Sequence, residues 1–206
     1  MSLHIIEHPI IRERLTHIRS VDSDTAAFRH ALHDISRLMC FEVTKDLETN
    51  PCTVKTPLKK TEGHSLTRPI VLVPILRAGV GLMNGFADIL TEASVGYIGL
   101  YRDEETHQPH RYYCKMPPNI AEADVILIDP MLATGGSAAD AVDELKSEGA
   151  TQIRFACLIA APEGVEAFSK RHPDIEIYTA ALDEHLNENA YIVPGLGDAG
   201  DRYFGT

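Results

Sequence analysis

Residues 125–137 constrain the fold more than any other stretch of this chain. They begin with four branched apolar residues, which predict a buried strand, and pass through Asp129 into a loop of small residues that includes Gly135 and Gly136. A helix is predicted to open at Ser137. A strand that leads through a glycine-rich loop into a helix N-terminus forms an anion site, because free amide groups converge on one phosphate and the helix dipole favours its charge. The segment therefore predicts a phosphate site in an α/β protein.

The glycine pattern excludes two common phosphate-binding loops. A Walker A loop needs Lys and then Ser or Thr after its last glycine, whereas Ser137 follows Gly136 directly, and no G-x-G-x-x-G is present. The segment instead resembles the loop that binds 5-phospho-α-D-ribose 1-diphosphate (PRPP) in the type I phosphoribosyltransferases. Most members carry two adjacent acidic residues there. Asp129 followed by Pro130 departs from that pattern and resembles the uracil phosphoribosyltransferase branch.

Three further segments resemble the same branch and occur in the family's order. Residues 73–79 resemble its pyrophosphate loop, residues 101–106 the start of its flexible catalytic loop, and residues 191–202 its uracil-binding region. The resemblance extends from about residue 68 to residue 206. It implies transfer of a 5-phosphoribosyl group from PRPP to uracil, which gives UMP and diphosphate.

Length and charge bound the class of protein. With 206 residues, of which 44% are hydrophobic, the chain is long enough for a proper core, and we expect a single domain over residues 1–206. The formal net charge of −11 argues against nucleic-acid or anionic-membrane partners, which are bound mainly by clustered Lys and Arg. The chain shows no secretory signal and its four cysteines are dispersed, so we expect a cytoplasmic protein.

The apolar periodicity predicts alternating strands and helices. The predicted core strands are residues 70–75, 95–101, 124–129, 153–159 and 175–180, and the predicted helices are residues 9–19, 24–48, 78–92, 137–148 and 164–171. Asp24 is the expected N-cap of the second helix, and an exposed hairpin is predicted to turn at residues 59–64. This alternation indicates an α/β fold with a mostly parallel central sheet and helices on both faces, plus the hairpin and an irregular C-terminal region.

Three residues are the predicted catalytic groups. Arg77 follows a predicted strand, and its guanidinium can grip phosphate oxygens through two hydrogen bonds. Arg102 opens a long polar segment, residues 102–115, of the kind that forms lids over active sites. Asp198, in the tail, faces PRPP according to the resemblance. Ligands in open parallel sheets bind beyond the carboxyl ends of the strands, where Arg77 and Arg102 are expected to lie.

The resemblance assigns PRPP binding to Arg77, Arg102, Asp198 and one continuous loop. The loop consists of Asp129, Pro130, Met131, Leu132, Ala133, Thr134, Gly135, Gly136 and Ser137. Asp129 is expected to contact the ribose hydroxyls, while amide groups and the hydroxyls of Thr134 and Ser137 bind phosphate. A β-branched residue at Gly135 is expected to weaken phosphate binding at a near-normal melting temperature, because the strand beneath does not depend on the loop.

The tail supplies the base site in the family that the chain resembles. The matching positions are Ile192, Gly197, Asp198 and Ala199. Backbone amide and carbonyl groups can bond the polar edge of uracil, and glycine lets the backbone approach closely. The resemblance also implies Mg²⁺ as the cofactor. Because Pro130 replaces a second acid, we expect the diphosphate and the ribose to hold the ion mainly, and its protein ligands stay open.

Three alternative functions are compatible with a phosphate-binding α/β fold. They are a transferase of the same fold for a purine or orotate, an RNA-binding pyrimidine sensor, and a catalytically silent phosphate-binding protein. The tail, which resembles a uracil-binding region, argues against the purine or orotate transferase. The negative net charge argues against the RNA-binding sensor. The silent protein is disfavoured by the presence of Arg77, Arg102, Asp129 and Asp198. The family is homo-oligomeric, so a homodimer or homotetramer is expected. Activation by GTP, which occurs in some relatives, stays an open question.

Overall fold

The described residues form thirteen strands and six α-helices. The structure is a computed structural model that describes residues 2–102 and 109–206, with the backbone alone described at residues 101, 102, 109 and 110. The strands are β1 (Leu3–Ile5), β2 (Thr49–Lys55), β3 (Lys60–Leu66), β4 (Ile70–Leu76), β5 (Ser94–Val95), β6 (Tyr97–Arg102), β7 (Pro109–Lys115), β8 (Asp124–Ile128), β9 (Met131–Leu132), β10 (Gln152–Ala160), β11 (Glu176–Leu182), β12 (His185–Leu186) and β13 (Ile192–Val193). The helices are α1 (Pro9–Arg19), α2 (Thr25–Val43), α3 (Gly79–Ile89), α4 (Gly136–Ser147), α5 (Pro162–Arg171) and α6 (Ala199–Phe204).

The central sheet has the order β1-β11-β10-β8-β4-β6-β7, with β5 beside β4 and β9 beside β10. Neighbouring strands are parallel except for β6 and β7, which are antiparallel. The register places Val125 of β8 between Val71 of β4 and Ile153 of β10. The predicted fold class, a mostly parallel sheet with helices on both faces, is confirmed.

The alternation of side chains along β8 explains the two-sided burial of the sheet. Ile126 and Ile128 belong to a core cluster with residues of α1, α2 and α3, whereas Val125 and Leu127 belong to a second cluster with residues of α4 and α5. All four side chains are almost fully buried. A strand covered on both faces needs an unbroken apolar run, and this is the pattern that the sequence shows.

Boundaries of the N-terminal half differ from prediction at α2, at the hairpin and at α3, which ends at Ile89 rather than at residue 92. Asp24 caps α2 as expected, since its carboxylate accepts a hydrogen bond from the amide of Ala27 at 2.8 Å, but the helix ends at Val43 rather than near residue 48. The hairpin of β2 and β3 turns at residues 56–59, not at residues 59–64. The Thr56 hydroxyl accepts hydrogen bonds from the amides of Leu58 and Lys59 and so fixes the earlier turn.

Two segments that were predicted to be irregular contain regular structure. The polar segment 102–115 is not one long loop, because residues 109–115 form β7 and pair with β6; residues 103–108 lie outside the described part of the chain. The C-terminal tail contains β13 and the helix α6, and of these two elements α6 is not predicted from the sequence. The edge strand β1 was also missed. Within the described ranges, no helix is both long and apolar enough to cross a membrane.

Candidate active site

The loop after β8 has the geometry of an anion site. Gly135, with φ of 82°, is the N-cap of α4, so the helix begins at Gly136, one residue before the predicted start. The first amide groups of a helix have no intrahelical acceptor. At α4 the N-cap residue is a glycine, which has no side-chain acceptor for them, and no acidic residue lies in the first turn. Amide groups and the helix dipole therefore offer positive charge to a ligand at this end.

Asp129 lies at the carboxyl end of β8, where the loop begins. Its amide donates to the carbonyl of Ala156 at 3.2 Å, and its carboxylate accepts a long hydrogen bond from the amide of Met131 at 3.4 Å. Although the residue keeps some contact with solvent, protein atoms surround the carboxyl densely, and this desolvation raises its pKa to about 7. The carboxyl is thus available to a cation or to hydroxyl groups from outside the chain.

The raised pKa of Asp129 predicts a pH-dependent stability. The folded state favours the protonated carboxyl, so its contribution is fully present below the ordinary pKa of 3.8 and is lost as the pH rises toward about 7. Asp129→Asn should flatten this dependence between pH 4 and 7 and stabilise the ligand-free protein at pH 8 by on the order of a few kcal/mol. Melting temperatures at pH 5 and pH 8 test this. An unchanged pH dependence in the variant would contradict it.

The loop that carries Arg77 packs against the same end of the sheet. β4 and β8 are parallel neighbours, and a Cβ atom on Gly79 would come within 2.6 Å of the carbonyl oxygen of Ile128. The peptide bond between Leu76 and Arg77 is cis. The Arg77 side chain is exposed, with its Nη2 atom 3.7 Å from Asp201 Oδ1. An exposed arginine beside the anion site is free to turn toward a phosphate.

The C-terminal tail reaches the Arg77 loop through α6. The hydroxyl of Tyr203 accepts a hydrogen bond from Asn84 Nδ2 at 3.0 Å, and the ring lies against Gly81, so α6 packs on α3. The Arg77 guanidinium lies 5.6 Å from the centre of the Phe204 ring. These contacts bring the tail to the Arg77 loop, and three of the four predicted segments therefore meet at one edge of the sheet.

The predicted base-contact residues occupy the turn before α6. Ile192 is buried in β13, Gly197 has a φ of 79°, and Ala199 is buried at the start of the helix. Asp198 is the N-cap of α6, and its carboxylate accepts from the amide of Asp201 at 2.8 Å. Its side chain thus has a fixed direction before any substrate binds.

Arg102 ends β6, next to β4 in the sheet, but its side chain lies outside the described part of the structure. Arg111, a further cation of the same segment, forms an ion pair with Glu144 on α4. A cavity of about 530 Å³ lies elsewhere, at the edge strand β1, and contains none of the predicted site residues.

Two acidic residues near the carboxyl edge of the sheet are not among the predicted site residues. Asp201 contacts Arg77, and Asp183 follows β11 as directly as Asp129 follows β8. The rule that polar residues just after a buried strand face the ligand edge would have found Asp183. Asp201 carried no such signal, because it lies within a short helix that was not predicted.

Known proteins match the chain over nearly its whole length. The family model described as uracil phosphoribosyltransferase matches residues 5–206. A uracil phosphoribosyltransferase of Malacoplasma penetrans is 53% identical over 202 residues, which cover 98% of each chain, and one of Enterococcus faecalis is 51% identical over 203 residues, which cover 98% of this chain and 97% of that protein.

Solved structures agree on the fold. The AQ2163 protein of Aquifex aeolicus superposes with a TM-score of 0.94 at 33% identity, covering 99% of this chain and 98% of that one. A hypoxanthine phosphoribosyltransferase of Staphylococcus aureus superposes with a TM-score of 0.51 at 18% identity, covering 75% of this chain and 74% of that one, which shows a shared fold alone. With the sequence matches, this places the chain in one family: it belongs to the uracil phosphoribosyltransferases.

Proposed function

We propose that the chain transfers the 5-phosphoribosyl group of PRPP to uracil and releases UMP and diphosphate at the carboxyl edge of its sheet. The observation that carries this proposal is the convergence of the Arg77 loop, the loop from Asp129 to Ser137, and the tail at one edge, in a member of this family. We further propose that residues 1–206 act as a single domain.

In this proposal, the loop after β8 holds the phosphate end of PRPP. The amide groups of residues 133–137 and the hydroxyls of Thr134 and Ser137 supply donors, while Asp129 receives hydrogen bonds from ribose hydroxyls. The C1–oxygen bond to diphosphate breaks as a uracil nitrogen bonds to C1, so positive charge builds on the ribose ring and negative charge on the leaving diphosphate. Arg77 and Arg102 stabilise that negative charge, because oriented cations act most strongly where charge develops.

We propose that Mg²⁺ accompanies PRPP, as phosphoribosyltransferases are generally metal-dependent. The Asp129 carboxyl fits such an ion, since burial among the described residues raises its pKa to about 7, and a cation beside it would favour the carboxylate. Diphosphate and ribose oxygens would hold the ion mainly, with Asp129 and Asp198 as the carboxylates at this edge. When bound, Mg²⁺ neutralises charge on the diphosphate.

Arg77→Ala and Arg102→Ala should each lower kcat by about 10²-fold or more while leaving the fold intact. Arg77 is 63% exposed, and its contacts with Asp201 and the Phe204 ring are long surface contacts, so its loss should not change the melting temperature. Arg12→Ala is the matched control, since Arg12 is 66% exposed and pairs with Glu7 away from the site. Steady-state kinetics with PRPP, Mg²⁺ and uracil provide the measurement. Wild-type kcat in the Arg77 variant would mean that Arg77 serves only in a surface ion pair. Wild-type kcat in the Arg102 variant would mean that Arg102 belongs only to a solvated segment.

The reaction itself is tested by incubating the purified chain with PRPP, Mg²⁺ and uracil. UMP and diphosphate should form in equal amounts, and formation should stop when either substrate is omitted or the metal is chelated. Parallel reactions with hypoxanthine and orotate separate the proposal from transferases of the same fold. If no UMP forms when uracil is supplied, the proposal is contradicted.

We also propose a cytoplasmic homo-oligomer, a dimer or a tetramer. Its four cysteines are free thiols, as a reducing compartment favours. Large apolar side chains remain exposed, among them Phe41 at 70% and Leu58 at 95%, and such surfaces often lie at subunit contacts. Light scattering of the purified chain, with and without GTP, measures its mass, and initial rates in the same samples test activation. A monomer in both samples would contradict the oligomer.

A further inference from the structure

An ion pair joins the first helix to the carboxyl end of β11. Arg19, the last residue of α1, donates from Nη1 to Asp183 Oδ2 at 2.8 Å and from Nη2 to Asp183 Oδ1 at 2.6 Å. The Asp183 side chain is 4% exposed and that of Arg19 is 25% exposed. Two parallel hydrogen bonds of this kind fix the direction of both side chains as well as their distance.

Both members of the pair also bind the backbone of Gly195. Arg19 Nη1 donates to the carbonyl of Gly195 at 2.8 Å, and the amide of Gly195 donates to Asp183 Oδ2 at 2.9 Å. Gly195 has a φ of 61°, and a Cβ atom there would lie 2.1 Å from the carbonyl oxygen of Ile192. The pair therefore satisfies both backbone polar groups of Gly195, a position in a tight turn that has no room for a side chain.

The residues proposed to contact uracil lie at the start of that turn and directly after it. Ile192 begins it, and Gly197 to Ala199 follow it along the chain. Arg202 holds the next residue, because its Nη1 donates to the carbonyl of Leu196 at 2.9 Å and its Nη2 to the carbonyl of Ser20 at 2.7 Å. The turn is thus attached to the end of α1 at two successive residues.

We propose that Arg19 and Asp183 are positioning residues, which set the backbone of the turn that recognises uracil. The inference rests on the proposed function, and neither side chain is proposed to touch a substrate. A backbone that reads a base edge must be held closely, since displacement by about 1 Å can cost 10²-fold in rate. A buried ion pair is a poor source of stability, but it can select one conformation. Here it selects the conformation of the turn.

The test uses Arg19→Lys and the double variant Arg19→Leu/Asp183→Leu. Lysine keeps the charge but lacks the planar fork, so it cannot bind both oxygens of Asp183 and the carbonyl of Gly195 together. The double variant leaves no unpaired buried charge. In both, we expect the KM for uracil to rise by about 10- to 100-fold, the KM for PRPP to stay at its wild-type value, and the preference for uracil over cytosine to fall.

A second ion pair provides the matched control. Arg154 of β10 pairs with Asp46 and donates to the carbonyl of Val43 at 2.7 Å, near the amino end of that strand. Its Arg154→Leu/Asp46→Leu variant removes an arginine–carboxylate pair away from the turn, with the arginine half-buried and the carboxylate exposed. We expect both KM values to stay at wild type in this variant, even where the melting temperature falls.

Several outcomes would overturn the inference. An unchanged KM for uracil in both test variants would do so, and so would an equal rise of both KM values, which indicates general loosening. Loss of folded protein in Arg19→Lys would show that the pair determines the fold rather than the turn. Failure of the proposed function is separate, because the wild-type chain itself would then form no UMP.

Discussion

The ratio of kcat/KM for uracil to that for cytosine should be about 10⁴. Uracil presents two carbonyl acceptors and N–H donors on its edge, whereas the amino group of cytosine places donors where uracil has an acceptor. Backbone groups near Ile192 and Gly197 cannot change from donor to acceptor, so cytosine would leave buried polar groups unpaired. The turn is held by Arg19 and Asp183 and cannot easily adjust to the wrong base.

Initial rates at saturating PRPP, over a range of concentrations of each base, provide the ratio. The Arg154→Leu/Asp46→Leu variant should keep the wild-type ratio, because that ion pair lies near the amino end of β10, away from the turn that contacts the base. Equal rates with uracil and cytosine in the wild-type chain would mean that the tail does not recognise the base edge by hydrogen bonding.

Gly135→Val should lower kcat/KM for PRPP by about 10²-fold or more, as the loss of an oriented donor does elsewhere. Gly135 has a φ of 82°, which a β-branched residue resists, and a Cβ atom there would lie 2.7 Å from the carbonyl oxygen of Gly164. The loop and its amide groups must therefore move away from the phosphate position.

The same contact corrects one expectation from the sequence. A near-normal melting temperature was expected for Gly135→Val, but the clash with Gly164 on α5 means that the variant should also lose stability. Gly149→Val is the matched control, since Gly149 has a φ of 95° and, among the described residues, a Cβ atom there would meet Ala121 alone, at 3.5 Å. It should lose about 1–2 kcal/mol of stability from backbone strain and keep wild-type PRPP binding. Wild-type affinity in Gly135→Val would mean that the phosphate binds elsewhere.

The strands and helices with strong local signals were predictable. β8 has an unbroken apolar run, α2 has apolar residues at threes and fours after Asp24, and both are present. α6 was not predictable, because six residues are too few for a helical period and its stability comes from tertiary packing of Tyr203 on α3. β7 was missed because it is a polar edge strand whose tyrosines, Tyr112 and Tyr113, remain exposed.

Site residues were likewise predictable where the local sequence signal was strong, and not where their position depends on tertiary packing. Asp129 and Arg77 follow apolar strands, so their position at the ligand edge could be deduced from the sequence and the sheet order. The bond between Arg19 and Asp183 joins residues 164 positions apart, and no local pattern specifies that they meet. The contact of Arg77 with Asp201 likewise depends on how α6 packs.

A crystal structure of the chain with bound UMP would show whether the three segments form one nucleotide site. We expect the 5′-phosphate within hydrogen-bonding distance of the amide groups of residues 133–137, with the ribose hydroxyls toward Asp129. We expect the polar edge of the base against the backbone of residues 192–199. A nucleotide bound away from this edge of the sheet, or a base that faces no backbone group of the tail, would contradict a single site of this kind.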